Sequence, residues 1–444
     1  MKILGVYANT TKLLNPPPVG LMLVGQNAID GGHEFEILDL LHERDRDAAL
    51  ARGLAAYRPD LVAFSLRNLD NQDMLAPESY VPDYQRWVDA ANAAAPTVIG
   101  GSAFSTYPEE MMEAVPARYG ICGDARATFS DFLGELAAGG RTFKTPGVYW
   151  RAGNKIRRNP GVIGGYPGAT GNLNWDLVDR KKYRGREGMS NAIITKTGCR
   201  YNCLFCDTPA TFGDRFIPRD PDAIIGQMRE NQRRWKLNRS GYFFVDAAFN
   251  EPLEWAKELM DKIIRSGLRV SFSCVVEPTA FDRELFALMV RAGCLMATGL
   301  IVSAADPVLA ANRKTFTKSD LVRFFDFLRA EKLPYMPQYM LGVPGETAAT
   351  VTETVNFAAS RRLVMTQIGL GARIQRGTGL YDIALKKGII RRSDNLLYPK
   401  FYWEPEVPLQ WAQSEAARFK KIKKIAYADW ARFLWRSMRT RMLN

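Results

Sequence analysis

Thr197-Gly198-Cys199-Arg200-Tyr201-Asn202-Cys203-Leu204-Phe205-Cys206-Asp207 is the stretch on which the reading of this chain turns. Its cysteines follow a C-x3-C-x2-C spacing, close enough on one loop for thiolates to hold three corners of a small metal cluster. A [4Fe–4S] cluster ordinarily takes four thiolates. Three leave one iron open to a ligand that is not protein, and an open iron points to chemistry rather than electron storage. A structural zinc site and three unrelated buried thiols are the competing readings. Zinc takes four ligands, whereas the chain has only two histidines, His33 and His42, and only Cys274 and Cys294 as thiols downstream of the loop.

The loop resembles the cluster loop of radical S-adenosylmethionine (SAM) enzymes, including the aromatic Phe205 before the last cysteine. The resemblance implies a [4Fe–4S] cluster on Cys199, Cys203 and Cys206. Its open iron would chelate SAM, and its electron would cleave SAM to a 5′-deoxyadenosyl radical. Further segments match this family in order. Phe244-Val245-Asp246-Ala247-Ala248-Phe249-Asn250 resembles the strand end that touches SAM, which makes Asp246 and Asn250 candidate contacts. Arg291-Ala292-Gly293-Cys294 and Arg313-Lys314-Thr315-Phe316-Thr317 also fit. Gly342-Val343-Pro344-Gly345-Glu346-Thr347 resembles the Gly-x-Pro-Gly-Glu-Thr turn, placing Gly342 and Pro344 near adenine, with Thr347 a candidate cap for the next helix. One departure is sharp. After Gly299 the family usually carries an acid and a serine; here stand Ile301 and Val302, with Ser303 as a partial substitute.

Around the loop the chain alternates strand and helix. Apolar strands are predicted at Asn191–Thr195, Tyr242–Asp246, Val270–Val276, Met296–Val302, Tyr335–Leu341 and Gln367–Ile374, separated by helical stretches. Six such units suggest a partial TIM-like barrel with its site at the strand C-terminal ends. Upstream, strands at Lys2–Tyr7, Glu34–Leu38, Asp60–Ser65, Thr97–Gly101 and Tyr119–Cys122 argue for a parallel, doubly wound sheet. Ligands of such sheets bind at the carboxyl ends of the strands. No G-x-G-x-x-G follows the first strand, which disfavours a dinucleotide.

The order of these N-terminal elements resembles the cobalamin-binding domain of B12-dependent radical SAM enzymes. Pro18, Gly20, Ser65, Arg67, Asn68, Gly100, Gly101, Ser102 and Gly123 are the candidate cobalamin residues by that resemblance. Many cobalamin proteins place a histidine under cobalt through D-x-H-x-x-G, but no histidine occurs in the loop after the first strand. Arg67 or its loop neighbours is the candidate for that face. A contact from Arg67 to a phosphate or amide of the corrin is the alternative. Cys122, Cys274 and Cys294 read as small buried thiols.

The expected fold class is therefore α/β: an N-terminal Rossmann-like cobalamin-binding domain (1–140), a linker (141–188), a partial (β/α)6 TIM-like radical SAM barrel (189–400) and a basic helical C-terminal region (401–444). At 444 residues and 47% hydrophobic, the chain is long enough for two or three domains with a large core. No apolar run approaches the roughly 18 residues of a membrane span. The N-terminus reads as a strand rather than a signal peptide, and six cysteines with three clustered suit a reducing compartment, so a cytoplasmic location is expected. Net charge is +13, of which +7 lies from Trp411 onward; the remainder is only mildly basic and makes no case for nucleic acid. The basic tail suggests a helical cap, or contact with a membrane surface or carrier protein.

The resemblance implies a B12-dependent radical SAM enzyme with [4Fe–4S], SAM and cobalamin as cofactors. The expected reaction is methyl transfer to an unactivated carbon of a small molecule, with a flavodoxin- or ferredoxin-type protein as one-electron reductant. Rearrangement, ring formation, polar methylation and a non-catalytic sensor are the alternatives. The sequence names no catalytic side chain.

Overall fold

The computed structural model describes residues 1–11, 16–161, 172–183, 191–236, 241–361 and 366–418. The first layer consists of β1 (Lys2–Tyr7), α1 (Val19–Asp30), β2 (Glu34–Asp39), α2 (Arg46–Tyr57), β3 (Leu61–Ser65), α3 (Val81–Asn92), β4 (Thr97–Gly100), α4 (Ser102–Thr106), α5 (Pro108–Ala114), β5 (Tyr119–Ile121), α6 (Ala125–Ala137), β6 (Val148–Ala152) and β7 (Lys155–Arg158). These strands form one sheet in the order β2-β1-β3-β4-β5-β6-β7. The first five are parallel and β6 and β7 antiparallel. β1, β3, β4 and β5 are largely apolar runs, as strands covered by helices on both faces are, whereas β2 at the sheet edge mixes charged and apolar residues.

The sheet does not stop near residue 140. Val148, Tyr149 and Trp150 are buried in it, so this part of the expected linker is sheet edge. Its Gly, Pro and Arg content masked a short hairpin turning at Gly153, where φ is +60°.

The second layer begins with β8 (Asn191–Ile194) and β9 (Lys196–Thr197), then α7 (Thr208–Phe212), β10 (Ile217–Pro218) and α8 (Pro221–Trp235). It continues through β11 (Tyr242–Val245), α9 (Leu253–Arg265), β12 (Phe272–Val275), α10 (Arg283–Arg291), β13 (Cys294–Val302), α11 (Asp306–Ala311), α12 (Lys318–Ala330), β14 (Tyr335–Leu341), α13 (Ala348–Ser360) and β15 (Gln367–Leu370). Six parallel strands line up as β15-β14-β13-β12-β11-β8, the open barrel that the strand–helix alternation implied. Two further short strands, β16 (Ala372–Arg373) and β17 (Phe401–Tyr402), pair with each other on either side of α14 (Gly379–Lys386).

The two layers share a core. One cluster of buried residues joins Val6, Phe64 and Leu66 of the first sheet to Leu204, Val302, Val343, Ala372 and Tyr402 of the second half. The basic tail from 419 onward lies outside the described residues; residues 409–418 are helical. Among the described residues no helix is long and apolar enough to cross a membrane.

Candidate active site

The cysteine loop is closed at its base by the antiparallel pair β9–β10, with Lys196 opposite Pro218 and Thr197 opposite Ile217. Gly198 follows at φ +73°, and a Cβ there would sit 2.0 Å from the Arg215 carbonyl oxygen, so only glycine fits. The Cys199 N–H donates to Gly213 O at 3.0 Å, and the Cys206 N–H to Cys203 O at 3.1 Å. Leu204 anchors the far side: its N–H donates to Asn312 O, and its carbonyl accepts from Leu380 N. Phe205 packs at the edge of the shared core.

Cys199 is buried and Cys203 and Cys206 are half-buried. Burial pushes the Cys199 thiol up to about 11, and the neighbouring Cys206 and Cys203 charges push the same way. Thiolates so placed call for a cation among them, which deprotonates coordinating thiols outright. Among the described residues no group of three His, Cys, Asp or Glu side chains converges on a single-ion position.

Lys314 reaches this loop from the turn after α11. Its Nζ stands 3.8 Å from Cys203 Sγ and 3.0 and 3.2 Å from the carboxylate oxygens of Glu277. Burial draws Lys314 toward neutrality, but Glu277 and the thiols outweigh it and hold its pKa above the ordinary lysine value. At Cys203 burial raises the pKa most; Lys314 then lowers it, ahead of the opposing Glu277.

The strand-end candidates separate into groups. Asp246 is buried, with Oδ2 accepting from the Thr195 hydroxyl and lying 4.0 Å from Lys196 Nζ. Its Oδ1 is buried without a partner among the described residues, an acceptor suited to a donor group of SAM. Burial raises Asp246 to about 6 against the opposing pull of Lys196. Asn250 is turned elsewhere: Nδ2 donates to the carbonyls of Glu277 and Ala280, and Oδ1 accepts from Glu277 N. It is a strut that sets Glu277 in place. Ser303 is likewise engaged, its Oγ 2.8 Å from Thr354 Oγ1 on α13 and accepting from Ala305 N. The expected substitution for the missing ribose acid is thus turned into the helix layer. Val302 just before it has φ +75°, a strained conformation for a β-branched residue. Gly342 is covered by the Trp403 ring, and Pro344 O accepts from Asn312 Nδ2 at 3.0 Å. Cys274 and Cys294 are buried in the core between strands and helices.

The cobalamin candidates line the carboxyl ends of β3, β4 and β5. Gly101 has φ +98°, and a Cβ there would meet Leu66 O at 2.5 Å, so the two loops close on each other only because residue 101 is glycine. Leu66 N donates to Gly100 O, Ala103 N to Leu66 O, and Ser102 Oγ to Arg67 O at 2.6 Å. Arg67 and Gly20 are exposed, Ser65, Asn68 and Gly123 half-buried, and Pro18 buried at the start of α1. Among the described residues no carboxylate pairs with Arg67; the group it acts on is Tyr7, whose pKa burial raises to about 12 and Arg67 opposes. Asn9 donates to the Tyr7 hydroxyl at 3.1 Å.

Cys206 is followed by Asp207, whose Oδ2 accepts from Thr106 Oγ1 at 3.2 Å. Thr106 ends α4, the helix that starts at Ser102. The Gly100–Ser102 loop and the cysteine loop are therefore tied together by one short contact, and burial keeps the Asp207 carboxyl above its ordinary pKa. Glu277, the Lys314–Cys203 contact and the Thr106–Asp207 contact escape sequence reasoning, because the partners lie far apart in the chain and no spacing rule links them.

Comparison with known proteins follows the same division. The radical SAM superfamily family model matches residues 193–358, and that of the B12 binding domain matches residues 8–133. Tryptophan 2-C-methyltransferase of Streptomyces laurentii is 26% identical over 84% of this chain and 74% of its own length. An uncharacterised methyltransferase of Pyrococcus horikoshii is 21% identical over 93% of this chain and 87% of its own. Among solved structures, the radical SAM methyltransferase TsrM of Kitasatospora setae, with tryptophan substrate and a SAM analogue bound, superposes with a TM-score of 0.84 at 21% identity. That match covers 94% of this chain and 88% of TsrM.

Proposed function

Because this chain belongs to the cobalamin-dependent radical SAM family, we propose that it is a C-methyltransferase acting on an unactivated carbon of a small molecule. The observation that carries the reading is the Thr106–Asp207 contact, which brings the cobalamin loops and the cysteine loop to one seam. When bound, cobalamin supplies the methyl to be transferred and the [4Fe–4S] cluster the electron that cleaves SAM.

The chain's own residues bind, orient and exclude water. Cys199, Cys203 and Cys206 hold the cluster. Asp246 offers a buried acceptor to SAM, with Thr195 and Lys196 fixing its other oxygen. Ser65, Arg67, Asn68, Gly100, Gly101, Ser102 and Gly123 form the corrin-facing edge, with Pro18 and Gly20 at the first helix. Arg67, a permanent cation without a carboxylate partner among the described residues, would stand against the corrin when cobalamin is bound and offer it no ligating atom. Substrate is held at the seam beside Asp207, whose Oδ2 accepts from Thr106 Oγ1. An external flavodoxin- or ferredoxin-type protein supplies electrons.

A second reading, methyl transfer without a deoxyadenosyl radical, is favoured by one observation: Ile301 and Val302 replace the ribose-binding acid, and Ser303 faces α13. One experiment separates the two. Turnover with methyl-labelled SAM and candidate small molecules should give one 5′-deoxyadenosine and one S-adenosylhomocysteine per labelled product. Product with adenosylhomocysteine alone establishes the second reading. Deoxyadenosine without adenosylhomocysteine removes methyl transfer.

A further inference from the structure

We propose that Lys314 is a positioning residue that tunes the cluster: its ammonium, locked by Glu277 against Cys203, raises the cluster's reduction potential. The proposal rests on the cluster assignment but not on the methyl-transfer reading.

The geometry is specific. Lys314 Nζ contacts Cys203 Sγ at 3.8 Å while Glu277 holds it with both carboxylate oxygens. The side chain is only 2% exposed, and the Phe316 ring lies under the ammonium at 5.1 Å. Solvent does not screen a charge so placed, and its field on the sulfur is far stronger than at the surface. The Glu277 backbone is in turn held by Asn250 at both its N–H and its carbonyl. A chain of contacts thus runs from the end of β11 through Asn250, Glu277 and Lys314 to a cluster thiolate.

Reduction adds one electron, from an external low-potential donor, to an assembly already made anionic by three thiolates. No bond forms or breaks and no proton need move. A cation donating to a ligand sulfur stabilises the reduced state more than the oxidised one, and hydrogen bonds to sulfur and local net charge are what set such potentials. Glu277 partly offsets the cation, so the two residues should push the potential in opposite directions.

The test is a redox titration of the full chain, reconstituted anaerobically with iron and sulfide, followed by electron paramagnetic resonance of the reduced cluster. K314M should lower the reduced-to-oxidised ratio at fixed poise at least tenfold, equivalent to about 59 mV for a one-electron couple. E277Q should raise that ratio, and K314R should stay within about twofold of the unaltered chain. A K314M protein with full iron content that titrates with the unaltered chain overturns the proposal, as does a K314R shift as large as that of K314M. Should K314M fail to hold a cluster, E277Q decides: no rise in its potential overturns the proposal. Failure of the unaltered chain to take up iron removes the cluster assignment and the tuning role together; equal potentials in fully loaded proteins remove the tuning role alone.

Discussion

Lys196 has no exposed side-chain atom. Its Nζ donates to Ala248 O at 2.6 Å, Phe249 O at 2.8 Å and Glu251 O, beneath the Trp255 ring at 4.7 Å. Burial lowers its pKa to about 8, with Asp246 pulling the other way. Three carbonyls of the loop after β11 converge on one ammonium, so this lysine shapes the strand end that carries Asp246. K196M removes the donor to all three and leaves Asp246 facing no cation. Loss of one partner of a buried polar network costs about 3 kcal/mol, and a clearly lowered melting temperature of the apo chain is the expected outcome. An unchanged melting temperature would assign the fold of this loop to packing alone. At the cluster, C199A, C203A and C206A should each lose iron on reconstitution while retaining cobalt, because the first sheet and its loops are untouched; metal analysis after desalting checks this.

The turn between β14 and α13 shows how an element stores pH dependence. Thr347 caps α13 with its hydroxyl accepting from Thr350 N, as the sequence implied. Glu346 is folded back into the turn, Oε2 accepting from Gly342 N, while Oε1 has no partner among the described residues. Burial raises its pKa from 4.5 to about 8, and the nearby Glu404 adds to the shift. Glu404 is held charged by Lys387 at 2.8 Å and also receives Gly345 N and the Tyr402 hydroxyl. Because the folded state keeps the Glu346 proton and the unfolded state releases it above pH 4.5, stability from this group is full below 4.5. It is lost progressively as pH rises toward 8. E346Q stays neutral throughout. Its melting temperature should therefore exceed that of the unaltered chain increasingly from pH 6 to pH 8.5, and parallel curves would mean that Glu346 titrates normally.

The two halves of the molecule are joined by buried charge as well as by the shared core. Asp70, after β3, pairs with Arg373 of β16 at 2.8 Å, the two side chains 4% and 6% exposed. Arg373 also donates to Ile374 O and Leu396 O. Nearby, Ser79 Oγ donates to Leu397 O, and Arg376 pairs with Glu110 and donates its N–H to the Tyr107 hydroxyl. Segment 371–398 is thus tied to the first half at Asp70, Ser79, Tyr107 and Glu110. R373M strands a buried aspartate and should cost about 3–5 kcal/mol, whereas R373M/D70L should recover part of that loss. The single variant should also release cobalamin more readily on desalting. Melting temperature and cobalt content of the two variants check both statements; equal losses in each would place the stability in the surrounding core.

The cysteine loop, the alternation of strands and helices in both halves, the open six-stranded barrel and the cap at Thr347 were legible before any coordinates. Each is encoded by residues close in the chain, where spacing, period and local hydrogen bonding leave few solutions. Which side chains face the site emerged from the packed fold. Asn250 and Ser303 stand at the expected strand ends, but their side chains are claimed by Glu277 and Thr354, partners no local rule connects to them. The hairpin β6–β7 was hidden by the Gly, Pro and Arg residues around it, and its outer strand β7 carries Lys155, Arg157 and Arg158 on exposed positions. Lys314 meets Cys203, and Asp207 meets Thr106, only once the two sheets have packed. Which polar atom finds which partner depends on long-range closure, and burial then fixes the choice, since an unmet polar group in the core costs more than any local preference supplies.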